Sequence, residues 1–450
     1  MAMKDYLKKI PKEVKNLIYL ASDIAGRNNM SAYLVGGFVR DLILGVKNLD
    51  LDILVEGDGI RFAEIFSEAK KAEVVRHIRF GTATVILKDH LKVGPLTRLR
   101  VNGERSRTID IATARREYYP QPAHLPVVAF GTLKDDLMRR DFTINAMAIN
   151  INRQNFGSFI DFFGGKADLL HKKIRVLHNS SFIDDPTRIL RAIRFEQRYN
   201  FRIEEETLRL LKEAVRLKML EKVQPQRLRD ELILILKEEQ PLKELKRIEE
   251  LAGFDFISPG LSLSKKALAF LKSIEKQVGW FRKTCPKHRR LDTWLIYFIG
   301  LIGALNKNNI KLICKRFAFR KGEEKRILTY KELNPNFIRK LSCQKIKPSK
   351  IFNLLKPQSY EVMILLKAKY INQHAGKHIK DFLQNFNSKY LYISGEDLRR
   401  LGLMPGPYYR KLFRCVLNAK VDGLVRTKKE ELELIKKLSK GKSYGFPLPI

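Results

Sequence analysis

Cysteine is scarce in this chain: Cys285, Cys314, Cys343 and Cys415 are the only four in 450 residues, they lie far apart, and they match no zinc-ligand spacing. In a large, reduced, cytoplasmic protein such residues read as small buried hydrophobes, so neither a disulfide framework nor a structural metal site is expected. Long apolar runs are missing too. The longest, WLIYFIGLIGAL from Trp294 to Leu305, is too short to cross a bilayer and reads as a buried helix. The N-terminal MAMKDYLKKIPKEVKNL has no apolar core followed by a small-residue cleavage site, so no signal peptide is expected. Internal repeats and low-complexity segments are also absent.

Acidic residues fall far short of basic ones. The chain carries 87 Lys and Arg against 49 Asp and Glu, a formal charge of +38. That excess exceeds what solubility needs and has the sign that draws a polyanion, which points to RNA or DNA. The basic residues are spread along the chain rather than gathered on one amphipathic helix or beside an apolar span, which argues against a membrane surface. The bias is steepest over residues 261–350, with 23 Lys and Arg against 5 Asp and Glu. That stretch reads either as solvated helix faces or as an electrostatic track for a phosphate backbone.

A chain of this length divides into several units. Between about Val35 and Asn150, short β-rich runs (AYLVGG, LDLDILVEG, TATVILK, RTIDIATAR, INAMAINI) alternate with helical ones. Several runs alternate apolar with polar residues, so a mixed or antiparallel sheet with helices is expected there. Beyond about Asp168 the apolar spacing turns to three and four residues, as in DPTRILRAIRFEQRY and QRLRDELILILKEE, and the remainder reads as all helical. The fold class is therefore α+β: a sheet-containing head over residues 1–168, then helical units over 169–260, 261–390 and 391–450. In the last, Ser394 and Asp397 are cap-like and Pro405-Gly406-Pro407 interrupts before another helix.

The chemistry concentrates in VGGFVRDLILGVKNLDLDILVEG. In an extended strand side chains alternate, so Asp50 and Asp52 share one face while Leu51, Ile53 and Val55 enter the core. Carboxylates so placed can hold a pair of Mg²⁺ ions about 3.5–4 Å apart, the arrangement that supports an attacking hydroxyl and a leaving pyrophosphate. Asp110, between Ile109 and Ile111, is the third acid in such a pattern. Gly36 and Gly37 suit a loop where backbone approaches phosphate oxygens at a helix start. Each feature has a plain alternative: a Gly-Gly is often a tight turn, and an Asp-x-Asp often a solvated strand edge.

Taken together, the stretch resembles the first motif of class II tRNA nucleotidyltransferases, the CCA-adding enzymes and their bacterial poly(A) polymerase relatives in the DNA polymerase β superfamily. RRDFTINAMAI (Arg139–Ile149), DFFGGKADLLHKKIRVL (Asp161–Leu177) and DDPTRILRAIRF (Asp184–Phe195) are similar to the second, third and fourth motifs, in the family's order. SGEDLRRLGLMPGP resembles the tail of some members more weakly. The resemblance implies that Asp50, Asp52 and Asp110 are catalytic metal ligands for two Mg²⁺ ions and that Gly36, Gly37 and Arg40 belong to the nucleotide site. It implies that Arg139 and Arg140 meet the triphosphate and that Asp141 and Asn145 meet the ribose. In the fourth motif it implies that Asp184, Asp185 and Arg188 read the base of CTP or ATP. An Asp accepts from the exocyclic amino group and an Arg donates to the adjacent ring acceptor, a polarity that uracil and guanine do not match. Arg191 and Arg194 complete the implied nucleotide site, facing phosphate or solvent, while Ile189, Leu190 and Ile193 read as core.

The sequence departs from the pattern in having Asp184 where Glu is usual. Asp185 stands before Pro186, where an acid also reads as a helix N-cap, so it either caps, reads the base, or does both with separate oxygens. ARREYYPQPAHLPVVAFGTLKDDL (Ala114–Leu137) is expected as an ordered but mobile loop. It resembles the loop that family members need to incorporate the terminal A, although Ala123 replaces the usual glycine. The resemblance thus implies a head for catalysis, a neck (169–260) for base selection, and a basic body and tail binding the tRNA acceptor arm. The implied activity is template-independent CCA addition to tRNA from CTP and ATP, with no membrane role. An A-adding enzyme, a poly(A) polymerase and a non-catalytic RNA-binding protein are the alternatives.

Overall fold

The alternating runs of the N-terminal third form one eight-stranded sheet. The computed structural model describes residues 6–7, 10–46, 50–88, 98–101, 104–285 and 290–440. Its sheet strands are β1 (Ser31–Val35), β2 (Leu51–Glu56), β3 (Glu73–His77), β4 (Thr82–Lys88), β5 (Arg98–Val101), β6 (Glu104–Thr113), β9 (Ala148–Asn150) and β10 (Phe159–Ile160). They run in the order β10-β9-β1-β2-β6-β4-β3, with β5 on β6. All these pairings are antiparallel except β2 with β6, which is parallel, so the sheet is mixed as its sequence pattern predicts. The parallel register sets Asp52 opposite Asp110, and the antiparallel register of β4 sets Thr84 opposite Asp110 from the other side. Alternation then sends Leu51, Ile53, Ile109 and Ile111 into the core while the two acids point to the other face.

Helices α1 (Lys12–Arg27), α2 (Gly37–Leu44), α3 (Gly59–Lys70), α4 (Leu133–Met138) and α5 (Gly165–Leu170) accompany the sheet. Tyr33, Val35, Leu54, Leu133, Leu137 and Ala148 form a buried apolar cluster that ties β1, β2 and β9 to α4. The 114–137 segment differs from the loop expected of it. It contains an antiparallel hairpin, β7 (Arg115–Tyr118) with β8 (Val127–Phe130), followed by α4. The β-branched and aromatic residues of RREY and VVAF pair, and Pro120, Pro122 and Pro126 stay in the connection, where their missing amide protons break no ladder.

After the head come α6 (Ser181–Asp184), α7 (Thr187–Tyr199), α8 (Glu205–Arg216), α9 (Met219–Lys222) and α10 (Pro225–Leu236), with a short parallel pair, β11 (Lys173–Ile174) and β12 (Arg202–Ile203). The chain separates into two compact units: residues 1–231 with 250–252, and 232–249 with 253–450. The second is built from helices among its described residues. Its apolar run forms the helix Thr293–Ile302, in which every residue from Trp294 on is buried. Toward its end, a capping box joins Ser394 and Asp397 at the start of helix Gly395–Arg400, and the Pro-Gly-Pro interruption is followed by helix Pro407–Val421. The stretch 391–450 is described to residue 440.

One close approach links this scaffold to the site. Gly165 opens α5 against the turn Thr143–Asn145, and a Cβ there would stand well inside contact distance of the Thr143 carbonyl oxygen. Backbone cannot yield as a flexible side chain does, so Gly165→Ala is expected to cost about 1–3 kcal/mol as overpacking. The measurement is the thermal unfolding midpoint, and an unchanged midpoint would contradict the packing described.

Candidate active site

The site starts at the end of β1. Gly36 holds φ at +65°, a conformation L side chains rarely adopt. A Cβ on it would lie 2.5 Å from Nη1 of Arg140 and 3.7 Å from Oδ2 of Asp52. The glycine therefore leaves room for the Arg140 guanidinium, with the Asp52 carboxylate close by. Gly37 is the first residue of α2, and a Cβ there would be 3.4 Å from Arg40.

Asp50 precedes β2 and is exposed, Asp52 is half-buried within it, and Asp110 is exposed on β6. Thr84 Oγ1 donates to Asp110 at 2.7 Å and fixes that carboxylate. The Asp52 carboxyl is pushed up to about 7, mainly by burial and further by Asp110 and Asp50, while Arg140 and Arg40 pull it down. Hard oxygen donors suit Mg²⁺, and a cation would relieve this repulsion. The three acids thus fit a divalent ion chemically. Yet among the described residues no group of three or more His, Cys, Asp or Glu side chains is gathered closely enough to hold a metal by itself.

Beside these acids lies a cavity of about 530 Å³, whose lining includes Gly36, Arg139, Arg140, Asp185, Arg188 and Arg227. Its arginines are held by buried carboxylates. Asp136, fully buried, accepts from Arg139 Nη2 at 2.6 Å and from Arg140 Nη2 at 2.9 Å. Burial alone would raise its carboxyl, but Arg140 and Arg139 more than offset that and hold it below its ordinary value. Arg139 also reaches Glu117 at 3.1 Å. The two arginines are thereby aimed before any ligand arrives, which removes the ordering cost of two long side chains.

Asp141 and Asn145 sit in a second buried network. Asp141 Oδ1 accepts from the Asn145 side-chain amide at 2.8 Å, and its Oδ2 pairs with Arg191 at 2.8 Å. Burial opposes its charge, yet Arg191 and Asn145 hold its carboxyl down to about 2. Asn145 Oδ1 accepts from Arg40, which is 6% exposed and lies over the Tyr199 ring at 4.9 Å. Arg191 and Arg194 both reach Glu231, at 2.8 and 3.3 Å, and both lie over Phe195. Arg40 and Arg191 line the cavity, as do Gly37, Asp141 and Asn145, whereas Arg194 does not.

The fourth-motif residues separate. Asp185 lines this cavity, and its Oδ1 accepts from the Thr187 amide at 3.1 Å, from the Thr187 hydroxyl at 2.6 Å and from Arg227 at 2.8 Å. It therefore bonds Thr187, the first residue of α7, through one oxygen, although Pro186 and not Asp185 occupies the N-cap position, and it still presents a carboxylate to the cavity. Arg188, 4% exposed, donates to Ser181 Oγ and to the Arg139 carbonyl, both at 2.6 Å, and keeps three of its five N–H bonds beyond these two contacts. Asp184 instead accepts from Ser180 and lines a neighbouring cleft with Tyr118, Tyr119 and His178. As the last residue of α6, it lines this cleft and is absent from the lining of the cavity that Asp185 borders.

Several site residues carry no motif signal. Arg227 places Nη2 on Asp185, while its buried Nη1 has no hydrogen-bond partner among the described residues. Tyr119, its hydroxyl pushed up to about 12 by burial and by Glu117, lines the same cavity, as does Phe80. Asp136 alone had a local cue: it stands three and four residues before Arg139 and Arg140, the spacing of one helix face.

Residues 32–175 match the family described as the Poly A polymerase head domain, and residues 200–264 match the probable RNA and SrmB-binding site of polymerase A. The A-adding tRNA nucleotidyltransferase of Geobacter sulfurreducens is 34% identical over 435 residues, 96% of this chain and 48% of that protein. This chain thus spans about half the length of that relative. The A-adding tRNA nucleotidyltransferase of Halalkalibacterium halodurans is 28% identical over 93% of this chain and 91% of its own. The structure of the Thermotoga maritima CCA-adding enzyme complexed with tRNA superposes with a TM-score of 0.69 at 35% identity, covering 98% of this chain and 99% of that one. The chain belongs to the nucleotidyltransferase family of the class II CCA-adding and A-adding enzymes and bacterial poly(A) polymerases.

The Asp141 network yields a pH prediction. A depressed folded-state pKa contributes stability that is present above the unfolded value near 4 and lost as pH falls toward 2. Asp141→Asn is expected to melt at lower temperature than the wild type at pH 7 and to lose less on acidification from pH 5 to 3. Parallel acid slopes in thermal melts of the two proteins would contradict it. Separately, Asp136→Asn removes the charge holding Arg139 and Arg140 and is expected to weaken nucleotide binding about 10-fold or more, read by equilibrium titration.

Proposed function

We propose that this protein extends the 3′ end of tRNA without a nucleic-acid template, adding CMP and AMP from CTP and ATP and releasing pyrophosphate. The observation that carries the reading is that Asp52 and Arg140 both lie at Gly36, beside an arginine-lined cavity that holds Asp185 and Arg188. The tRNA 3′-hydroxyl oxygen forms a bond to the α-phosphorus, the bond from that phosphorus to the pyrophosphate oxygen breaks, and pyrophosphate leaves. Asp50, Asp52 and Asp110 are the residues that would hold Mg²⁺, two ions by the family's pattern, which when bound supplies charge neutralisation for the reacting phosphates. Arg139 and Arg140, fixed on Asp136, meet the triphosphate. Asp141 and Asn145, with Arg40 and Arg191 behind them, shape the wall expected to meet the ribose.

For the base, an exocyclic amino group of cytosine or adenine donates to Asp185, and Arg188 donates to the ring acceptor beside it. Uracil and guanine leave these groups unpaired, which is costly where water is excluded. Asp184 takes no part in this assignment. The head (1–168) carries catalysis, the neck (169–260) base selection, and the body (261–390) and tail (391–450) the tRNA, their charge favouring its phosphates. A second reading, addition of A alone to tRNA ending in CC, is favoured by the names of two curated relatives that each align with more than nine-tenths of this chain.

The test uses tRNA transcripts ending before CCA, at C and at CC, with Mg²⁺ and CTP, ATP or both, and reads the 3′ ends at nucleotide resolution. Completion of all three to CCA is expected. Growth of only the CC transcript, by one A, selects the second reading, a long A tail selects poly(A) synthesis, and no extension overturns the enzyme assignment. In the same assay Asp52→Asn is expected to slow extension by at least about 100-fold. Arg188→Ala is expected to reduce discrimination against UTP and GTP by roughly 1–3 kcal/mol, the worth of a good paired contact.

A further inference from the structure

Far along the chain, in the second compact unit, two exposed tyrosines stand beside a buried ion pair and a cavity. Between Phe386 and the helix Gly395–Arg400, the loop carries Tyr390 and Tyr392, 65% and 47% exposed, with ring centroids 5.4 Å apart and planes at 89°. They border a cavity of about 730 Å³ whose lining also includes Phe386, Lys389, Lys420 and Arg426.

The platform beneath the rings is costly to build. Lys420, 7% exposed, places Nζ 3.2 Å from the centre of the Tyr392 ring and 2.5 Å from Oε1 of the fully buried Glu431. The other oxygen of Glu431 accepts from the backbone amides of Tyr392 and Ile393, at 2.9 and 3.1 Å. A buried ion pair contributes little net stability over an apolar substitute. Here it fixes one loop so that two tyrosines stand half in solvent beside Lys389 and Arg426. The Lys420 ammonium lies over the Tyr392 ring and, at 5.9 Å, over the Tyr390 ring, while both rings keep exposed area. Adjacent aromatic rings with flanking cations match an unstacked nucleobase and the phosphate joined to it, and each such stack contributes in a sequence-tolerant way.

We propose that Tyr390 and Tyr392, held by Lys420 and Glu431, form a stacking site for an unpaired nucleobase of the RNA substrate, with Lys389 and Arg426 meeting its phosphates. This rests on the reading of the protein as an RNA-extending enzyme and adds a second, non-catalytic point of contact. Stacked bases inside a duplex cannot enter such a site, so the contact selects RNA with exposed bases, as in the loops of a folded tRNA.

The test measures binding of the full chain to a 5′-labelled tRNA transcript and to a blunt, fully paired RNA duplex by fluorescence anisotropy. Tyr390→Ala/Tyr392→Ala is expected to weaken tRNA binding about 10-fold or more while changing duplex binding less than twofold. Tyr392→Phe, which keeps the ring, is expected to restore most of the affinity in the Tyr390 wild-type background. The slope of log affinity against log salt is expected to stay unchanged in the tyrosine double variant and to fall by about 0.7 for Lys389→Ala. Thermal melts of each variant separate lost stacking from lost folding. Equal weakening on both RNAs, or none on tRNA, overturns the stacking site. If the wild type nevertheless extends the transcript, the enzyme reading stands and only this inference falls; if the wild type neither extends nor binds tRNA, both fall together.

Discussion

The head depends on a single parallel pairing. In a sheet otherwise built of antiparallel neighbours, β2 and β6 run the same way and set Asp52 opposite Asp110. Had these strands slipped by one residue, alternation would have turned one acid into the core and an isoleucine toward the site. The apolar residues between and beside the acids prevent that slip, because Ile53, Ile109 and Ile111 are fully buried and would have to face water. The hydrophobic core thus sets the register, and the register places the charges.

Around that pair the protein assembles charges that repel and then restrains them. Two acidic neighbours and burial lift the Asp52 carboxyl, while Arg140, arching over Gly36, lowers it. The arginines in turn rest in part on acids outside the cavity lining, Asp136 beneath Arg139 and Arg140 and Glu231 beneath Arg191 and Arg194. Removing one partner of such a pair strands the other in a poor solvent, so each is strongly coupled to the next. This rigidity suits a site that must receive a highly charged ligand without rearranging long side chains. The second unit uses the same device where Lys420 and Glu431 lock a loop that bears exposed rings.

Much of this was legible in the amino-acid order where chemistry is local. The Asp-x-Asp on a strand, the acid flanked by isoleucines, the Gly-Gly before a helix and the Arg-Arg-Asp cluster each carry their reason within a few residues, and the mixed sheet followed by helices is visible in the change of apolar period. The hairpin at 115–130 was less legible, because four-residue strands around a proline-rich connection look like a loop until they pair. Arg227, Glu231 and Glu117 were not legible at all. Their partners lie 42, 40 and 22 positions away, as Asp185, Arg191 and Arg139, and nothing in their own neighbourhoods marks them.

Asp184 and Asp185 show the division most clearly. As letters they are an acidic pair before a proline, and their order alone established that at least one carboxylate would sit at the start of a helix. Which one faces the cavity was decided by the fold: α6 ends at Asp184, the backbone turns extended at Asp185, and Arg227 arrives from α10 to hold the second carboxylate in place. By itself the sequence determined the change from a mixed sheet to helices, the excess of positive charge and which acids share one strand face, because these follow from periodicity and composition. Only the tertiary structure decided which charges meet, because an ion pair depends on a few ångströms between residues that the chain order leaves unrelated.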